Sequence, residues 1–357
     1  MGVIQKMPRV RGWRGSLESI TPSRWTSLAQ CTAKGLADAL DLEGQLPKSP
    51  PSRGTLVGRF HHRLMELAAR ASSAMELDAK IEAEIRLLQH EVSKHVHMRQ
   101  AGSVSGWRDV NVSASLAIRM FEMRDQRRAD GETVHVETEL KARDGLLIGR
   151  PDVFRVHRGG AILREYKTGA IRDETGGIRK DYLDQITLYA ALIFDNYSVE
   201  VVEASIESLA GDRHEATIHQ EQARQLAEGV ADALVRVNEL VRSARSLSDL
   251  ARPSADACSY CPLRCICVSF KESQDGLALK GDQLLAEGTV ESIQASLEAA
   301  PRTVSLRDEI RSVEIQLLIP TAVAAQLSEK RRYQFIDLHR RGPGLEWSIT
   351  SQALSYG

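Results

Sequence analysis

Residues 149–169 read GRPDVFRVHRGGAILREYKTG, and a helical run carrying Gln185 and Tyr189 follows them. Val153 to Val156 and Ala161 to Tyr166 are rich in β-formers, and Arg158-Gly159-Gly160 between them is a turn signal. A hairpin folded about that turn sets Asp152 opposite Glu165 and Lys167. Alternate residues of a strand share a face, so Glu165 and Lys167 project together. Two carboxylates and an ammonium group then converge. Carboxylates at close quarters repel unless a cation lies between them, and hard oxygen donors suit Mg2+ or Mn2+. An ion held this way polarises a phosphoryl oxygen and lowers the pKa of a bound water, while the lysine orients that water or balances charge on the phosphate. The chemistry this implies is phosphodiester hydrolysis.

Taken in order, the chain offers Gly149 to Asp152, then Glu165 to Gly169, then Gln185 with Tyr189. This succession resembles the PD-(D/E)XK nucleases of the RecB type, marked by G-x-x-D, D/E-x-K-T-G and a Q-x-x-x-Y helix. The resemblance implies an α/β fold, a restriction-endonuclease-like mixed sheet flanked by helices. It implies catalytic places for Asp152, Glu165, Lys167, Gln185 and Tyr189, with Asp152 and Glu165 on the metal. The expected activity is that of a Mg2+- or Mn2+-dependent DNA nuclease acting on single-stranded or end-containing DNA in repair, recombination or antiviral defence. The rival is a catalytically idle iron–sulfur DNA-binding or scaffolding subunit of a helicase–nuclease complex; the complete residue set argues against it.

Upstream, Thr133 to Leu140 alternates Val134, Val136, Thr138 and Leu140 with His135, Glu137 and Glu139, the pattern of a half-buried strand. Glu137 and Glu139 share one parity, and either can support the site. Further back, a helix begins near Gly58, with His62 and Glu66 one turn apart on one face. A histidine followed by such a glutamate occupies this place in the RecB-type family, which implies that His62 is a nitrogen ligand to the metal, with His61 as the fallback. Ile81, Ile85, Leu88, Val92 and Val96 form a helical stripe, and His90, His95 and His97 beside it read as surface or packing residues.

Downstream, residues 200–209 read as a strand, and a long amphipathic helix runs through Leu226, Leu234 and Val241 to a cysteine-rich segment. Four of the five cysteines are Cys258, Cys261, Cys265 and Cys267. Clustering of this kind points to metal rather than disulfides, with the fourth thiolate coming from Cys265 or from distant Cys31. The spacing of Cys258, Cys261 and Cys267 resembles the iron–sulfur members of the same family, AddB and the CRISPR adaptation nucleases. That resemblance implies Cys31 as the fourth ligand of a [4Fe–4S] cluster acting as a structural clasp, although zinc held by four cysteines uses the same ligand chemistry.

Residues 279–357 read as a separate unit: strand-like runs at 284–293, 313–319 and 333–338, with a short helix after Pro320, a pattern resembling a small OB-like β-barrel. Tyr333, Phe335 and Trp347 beside Lys330, Arg331, Arg332, Arg340 and Arg341 offer a single-strand groove, with protein docking as the alternative. The expected layout is a basic flexible arm over 1–20, a nuclease domain with its clasp over 21–275, and the accessory barrel over 279–357.

The 357 residues are 42% hydrophobic and 27% charged with a net charge of −1, so any nucleic-acid surface is local. No apolar run is long enough to span a membrane and no G-x-x-x-x-G-K-[ST] loop is present, and no leader is expected. A cytoplasmic location, no membrane partner, and a separate helicase or defence-complex partner are the resulting expectations.

Overall fold

The structure, a computed structural model, describes the chain except for residues 1–3, 41, 47–50, 95–101, 130–132, 260, 280–283, 295–300, 343, 348–350 and 357. His95 and His97 lie outside the described residues. The chain divides into two compact units, one of residues 18–26 and 51–235, the other of 1–17, 27–50 and 236–357.

The first unit holds helices α3 (Arg53–Arg70), α4 (Ala74–Lys94), α5 (Arg108–Ala129) and α6 (Lys180–Asn196), while α1 (Pro22–Gln30) and α2 (Thr32–Ala39) precede them in the chain. Its sheet contains β2 (Thr133–Val136), β5 (Val153–His157), β6 (Gly160–Lys167), β7 (Val201–Ser208) and β8 (Arg213–His219), in the order β2-β5-β6-β7-β8. The amphipathic helix α7 (Gln220–Ser243) follows β8 directly. Every pairing in the sheet is antiparallel except β6 with β7. Parallel neighbours need a crossover, and α6 supplies it. Val153 and Tyr166 on one sheet face join a core with Phe60, Leu64 and Met65 of α3, Leu77 and Ile81 of α4, and Val110 and Ala117 of α5. The expected stripe of α4 is buried at Ile81, Leu88 and Val92, and His90 lies outside that buried set. A separate hairpin of β3 (Leu140–Ala142) and β4 (Leu147–Gly149) lies against α6. At Gly149 an added Cβ would sit 2.7 Å from Leu192 Cδ1 and 3.0 Å from Tyr189 Cε1. Glycine is what lets this strand approach the helix.

The expected strand over 133–140 is broken in two. The peptide continues from β2 to β3 through Glu137, whose φ of 47° is left-handed. That turn ends the alternation on which the parity reading depended.

In the second unit β9 (Leu284–Ile293), β10 (Arg302–Asp308), β11 (Val313–Ile319), β12 (Arg332–Arg341) and β13 (Gly344–Glu346) close a five-stranded barrel. Pairings run β9-β10-β11-β13-β12 and back to β9, antiparallel except for β11 with β13. A short helix, α10 (Thr321–Ala324), lies between β11 and β12. The barrel interior buries Val290, Val304, Leu306, Leu317, Phe335 and Leu338. Gly288 is required where strands cross, because a Cβ there would meet Arg307 O at 1.8 Å. β14 (Gln352–Ser355) adds to β12, and β1 (Gln5–Lys6) adds in parallel to β14. Arg14 donates to the carbonyls of Ala244 and Arg245. The described part of the basic arm is therefore anchored by backbone pairing and carbonyl contacts.

Two of the three aromatics offered for a groove are inside, Tyr333 at 4% exposed and Phe335 fully buried, while Trp347 is half-buried. Three of the nearby cations face acids. Lys330 pairs with Glu291, Arg332 with Glu287 and Glu309, and Arg340 with Asp275. The unit also includes residues 236–279, with α8 (Ala255–Cys258) and α9 (Val268–Ser273). Lys271 pairs with Glu287, Gln334 donates to Cys265 O, and buried Arg264 pairs with Asp337 at 2.6 Å. Across the boundary expected near 275–279, these polar links join the cysteine segment to the barrel. Among the described residues no helix is long and apolar enough to cross a membrane.

Candidate active site

The turn at Gly159, with its φ of 83°, lets β5 and β6 pair with Val153 opposite Arg164. That register puts Asp152 beside the end of β6, where the Tyr166 N–H donates to Asp152 Oδ2 at 2.7 Å. Asp152 and Glu165 are each only 2% exposed. Burial raises both carboxyls, but their neighbours separate them. Hydrogen bonding and charge from His62, with Lys167 and the Tyr166 amide, bring Asp152 below its ordinary value. Glu165 is pushed up to about 7, by burial first and then by repulsion from Asp152. Burial disfavours the Lys167 ammonium, yet the attraction of Glu165 and Asp152 prevails and raises it.

Lys167 Nζ donates to Glu165 Oε1 at 2.8 Å and to Gln185 Oε1 at 2.7 Å. The Gln185 amide donates in turn to Glu165 Oε1 at 3.1 Å and to the Tyr189 hydroxyl at 3.3 Å. Gln185 and Tyr189 are one turn apart on α6, so one helix face braces the strand residues. Glu165 Oε2 is buried and has no hydrogen-bond partner among the described residues. Such an oxygen is costly unless a cation or another donor meets it.

From α3, His62 Nδ1 lies 2.8 Å from Glu137 Oε1 and 3.2 Å from Asp152 Oδ1. The two carboxylates, Asp152 before Glu137, raise its pKa to about 10. Ligand atoms of His62, Glu137 and Asp152 all fall within 4.8 Å of one another. Glu137 reaches this point because of the left-handed break, with its own N–H donating to Asp152 O at 3.1 Å. Glu139 instead pairs with Arg150 and Lys141. The fallback histidine, His61, points elsewhere. It is 2% exposed, its Nδ1 lies 3.2 Å from Ser113 Oγ, and its ring meets Tyr166 edge-on. Burial lowers its pKa to about 4. Glu66, one turn after His62, pairs with Arg63.

Sequence reasoning missed Tyr182, whose ring lies 5.0 Å from Lys167 Nζ. Its position three residues before Gln185, on the same helix stripe, was the available signal.

The five cysteines form no disulfide. Cys31, Cys258, Cys261 and Cys267 line one cavity with Ala33, Pro253, Leu263 and Phe270. Cys265 is not among its lining residues; its thiol faces Pro262 O. Burial raises the thiols of Cys258, Cys261 and Cys267, that of Cys261 to about 12. Among the described residues, no three of these sulfurs lie within 4.8 Å of one another.

The profile of the PD-(D/E)XK nuclease superfamily matches residues 19–268, more than half of the chain. No curated protein matches the sequence. Among solved structures, a candidate exonuclease from Eubacterium rectale is 13% identical with a TM-score of 0.38, over 65% of this chain and 85% of that one. An alkaline exonuclease from Laribacter hongkongensis is 12% identical with a TM-score of 0.23, over 51% of this chain and 88% of that one. The same exonuclease in complex with dAMP is 11% identical with a TM-score of 0.23, over 52% and 93% of the respective chains.

Proposed function

Because the chain belongs to the PD-(D/E)XK nuclease superfamily, we propose that it is a Mg2+- or Mn2+-dependent DNA nuclease hydrolysing phosphodiester bonds at the Asp152–Glu165–Lys167 centre. The observation that carries this reading is the meeting of His62, Glu137 and Asp152 within 4.8 Å, beside a buried Glu165 oxygen without a described partner. That donor set fits a hard divalent cation: three oxygens and one imidazole nitrogen, with carboxylates that repel one another until a positive charge intervenes. His62, Glu137, Asp152 and Glu165 would hold the ion. When bound, it lowers the pKa of a coordinated water and polarises a phosphoryl oxygen.

The chain's own groups do the rest. Lys167 gives two N–H donors to Glu165 and Gln185, and the third serves a substrate oxygen. Gln185 keeps Lys167 and Glu165 in register, and Tyr189 supports Gln185 from the next turn. Asp152 is oriented by the Tyr166 amide, which leaves Oδ1 for the cation.

In the second unit, Cys31, Cys258, Cys261 and Cys267 are the proposed ligands of a [4Fe–4S] cluster. Their shared cavity and the turning away of Cys265 support this set. Zinc held by the same four cysteines is the alternative occupant, since it uses the same ligand chemistry. The cluster's role is structural, fastening the cysteine segment that also bonds the barrel.

The barrel is read as OB-like. Its third strand pairs in parallel with its fifth, and a helix precedes its fourth. With Tyr333 and Phe335 in the core, a docking role for a protein partner such as a helicase suits this unit better than a single-strand groove.

The test is cleavage of single- and double-stranded DNA in Mg2+ or Mn2+. The wild type should cut and be silenced by chelation, and Asp152→Ala, Glu165→Ala and Lys167→Ala should each abolish cutting while remaining folded. Divalent-dependent cleavage that survives all three substitutions would exclude this centre.

A further inference from the structure

Tyr182, Gln185 and Tyr189 stand at i, i+3 and i+7 of α6 and share one stripe facing β6. The last two act through hydrogen bonds. Tyr182 acts through its ring, which lies 5.0 Å from Lys167 Nζ. The same ring carries the Arg179 guanidinium at 4.5 Å. Arg179 is held in turn by Asp181 through two hydrogen bonds of 3.1 and 2.6 Å. The ring therefore meets both a side chain anchored at the helix start and the lysine of the centre.

A lysine stem is flexible, and two acceptors leave its ammonium free to pivot about them. An aromatic face attracts a cation through its quadrupole, most strongly where water is excluded. Here the Lys167 side chain is only 16% exposed. We infer that Tyr182 is a positioning residue for Lys167, its ring holding the ammonium against Glu165 and Gln185 so that the remaining N–H meets the scissile phosphate. The ring is what matters, not the phenol oxygen. This inference rests on reading Lys167 as part of a nuclease centre.

Tyr182→Leu removes the quadrupole but keeps apolar bulk, and Tyr182→Phe keeps the ring. The measurements are steady-state cleavage of DNA and NMR of protein labelled with [13Cε]lysine, the Lys167 signal being assigned by its absence in Lys167→Met. The leucine variant should lose about tenfold in kcat, with KM for DNA and affinity for Mn2+ unchanged. The phenylalanine variant should recover the wild-type rate. The Lys167 Hε resonance should be displaced upfield by the ring current in wild type and Tyr182→Phe, and return toward that of a free lysine in Tyr182→Leu. Unchanged kcat in Tyr182→Leu overturns the inference. So does a rise in KM alone, which would make the ring a DNA contact. An undisplaced Lys167 resonance in the wild type also overturns it, even if no cleavage is found. Absence of cleavage with the resonance displaced would instead refute the nuclease reading and leave the ring–ammonium contact standing.

Discussion

Replacing Gly149 by alanine tests how the site helix is seated. The added Cβ would lie 2.7 Å from Leu192 Cδ1, 3.0 Å from Tyr189 Cε1 and 3.0 Å from Pro22 Cδ. Non-bonded carbons settle at about 3.5–4.0 Å, so these are overlaps of roughly 0.5–1.3 Å. Leu192 is fully buried and Tyr189 nearly so, and neither can swing into solvent. Relief must come from moving α6 away from the strand ending at Gly149. Overpacking of this kind costs about 1–3 kcal/mol. The same helix carries Gln185, whose bonds to Lys167 and Glu165 are 2.7 and 3.1 Å long. A misplacement approaching 1 Å at such groups lowers turnover by about 10²-fold. Urea unfolding and single-turnover cleavage measure the two effects. Leu192→Ala supplies the control. Alone it should cost about 2–5 kcal/mol, but in the Gly149→Ala background much less, because the vacated volume accepts the new methyl group. A double-mutant cycle should give a favourable coupling above about 0.5 kcal/mol. Simple additivity, or a Gly149→Ala protein with wild-type stability and rate, would refute the reasoning.

Four further outcomes are expected. Cys31→Ser, Cys258→Ser, Cys261→Ser and Cys267→Ser should each lose iron and stability while Cys265→Ser keeps both; iron analysis of anaerobically purified protein decides, and stoichiometric zinc without iron would reverse the assignment. Arg264→Met should destabilise the protein by about 3–5 kcal/mol by breaking its buried pair with Asp337, and Arg264→Met with Asp337→Leu by much less, as read by denaturant unfolding. Removal of residues 281–357 should give an insoluble or iron-poor product, because it takes away the partners of Arg264, Lys271 and the Cys265 carbonyl; a soluble, iron-loaded fragment would show that these links are dispensable. His62→Ala should weaken Mn2+ binding in calorimetry, whereas His61→Ala should lower stability by about 1–3 kcal/mol through the lost Ser113 contact and leave Mn2+ affinity intact.

How much was legible in the sequence depended on whether a residue's role follows from local geometry. Asp152, Glu165 and Lys167 could be brought together on paper because hairpin pairing and strand parity are short-range rules. Gln185 and Tyr189 came from the resemblance, through its Q-x-x-x-Y helix, and their contacts with Lys167 and Glu165 are tertiary. Parity failed at Glu137, because one left-handed residue ends the alternation and nothing in V-E-T-E-L marks it. Tyr182 was missed because its partner is in another element. In the barrel, Arg302–Asp308 escaped notice because it buries Ser305 and Asp308, residues that usually mark loops. The cations near Tyr333 resembled a phosphate-binding surface only until their acidic partners, such as Glu287 and Glu291, were seen opposite them. Cys31 and Cys265 were both admissible as ligands by sequence; in the fold Cys31 lines the cavity shared with Cys258, Cys261 and Cys267, while the Cys265 thiol faces a carbonyl.

The measurement that bears most directly on the proposed centre is anomalous diffraction from crystals of the protein grown with Mn2+. A manganese peak should appear within bonding distance of His62, Glu137 and Asp152, with Glu165 Oε2 turned toward it, and it should vanish in Asp152→Asn crystals. Crystals that bind Mn2+ elsewhere while His62 stays bridged between the two carboxylates would contradict the account.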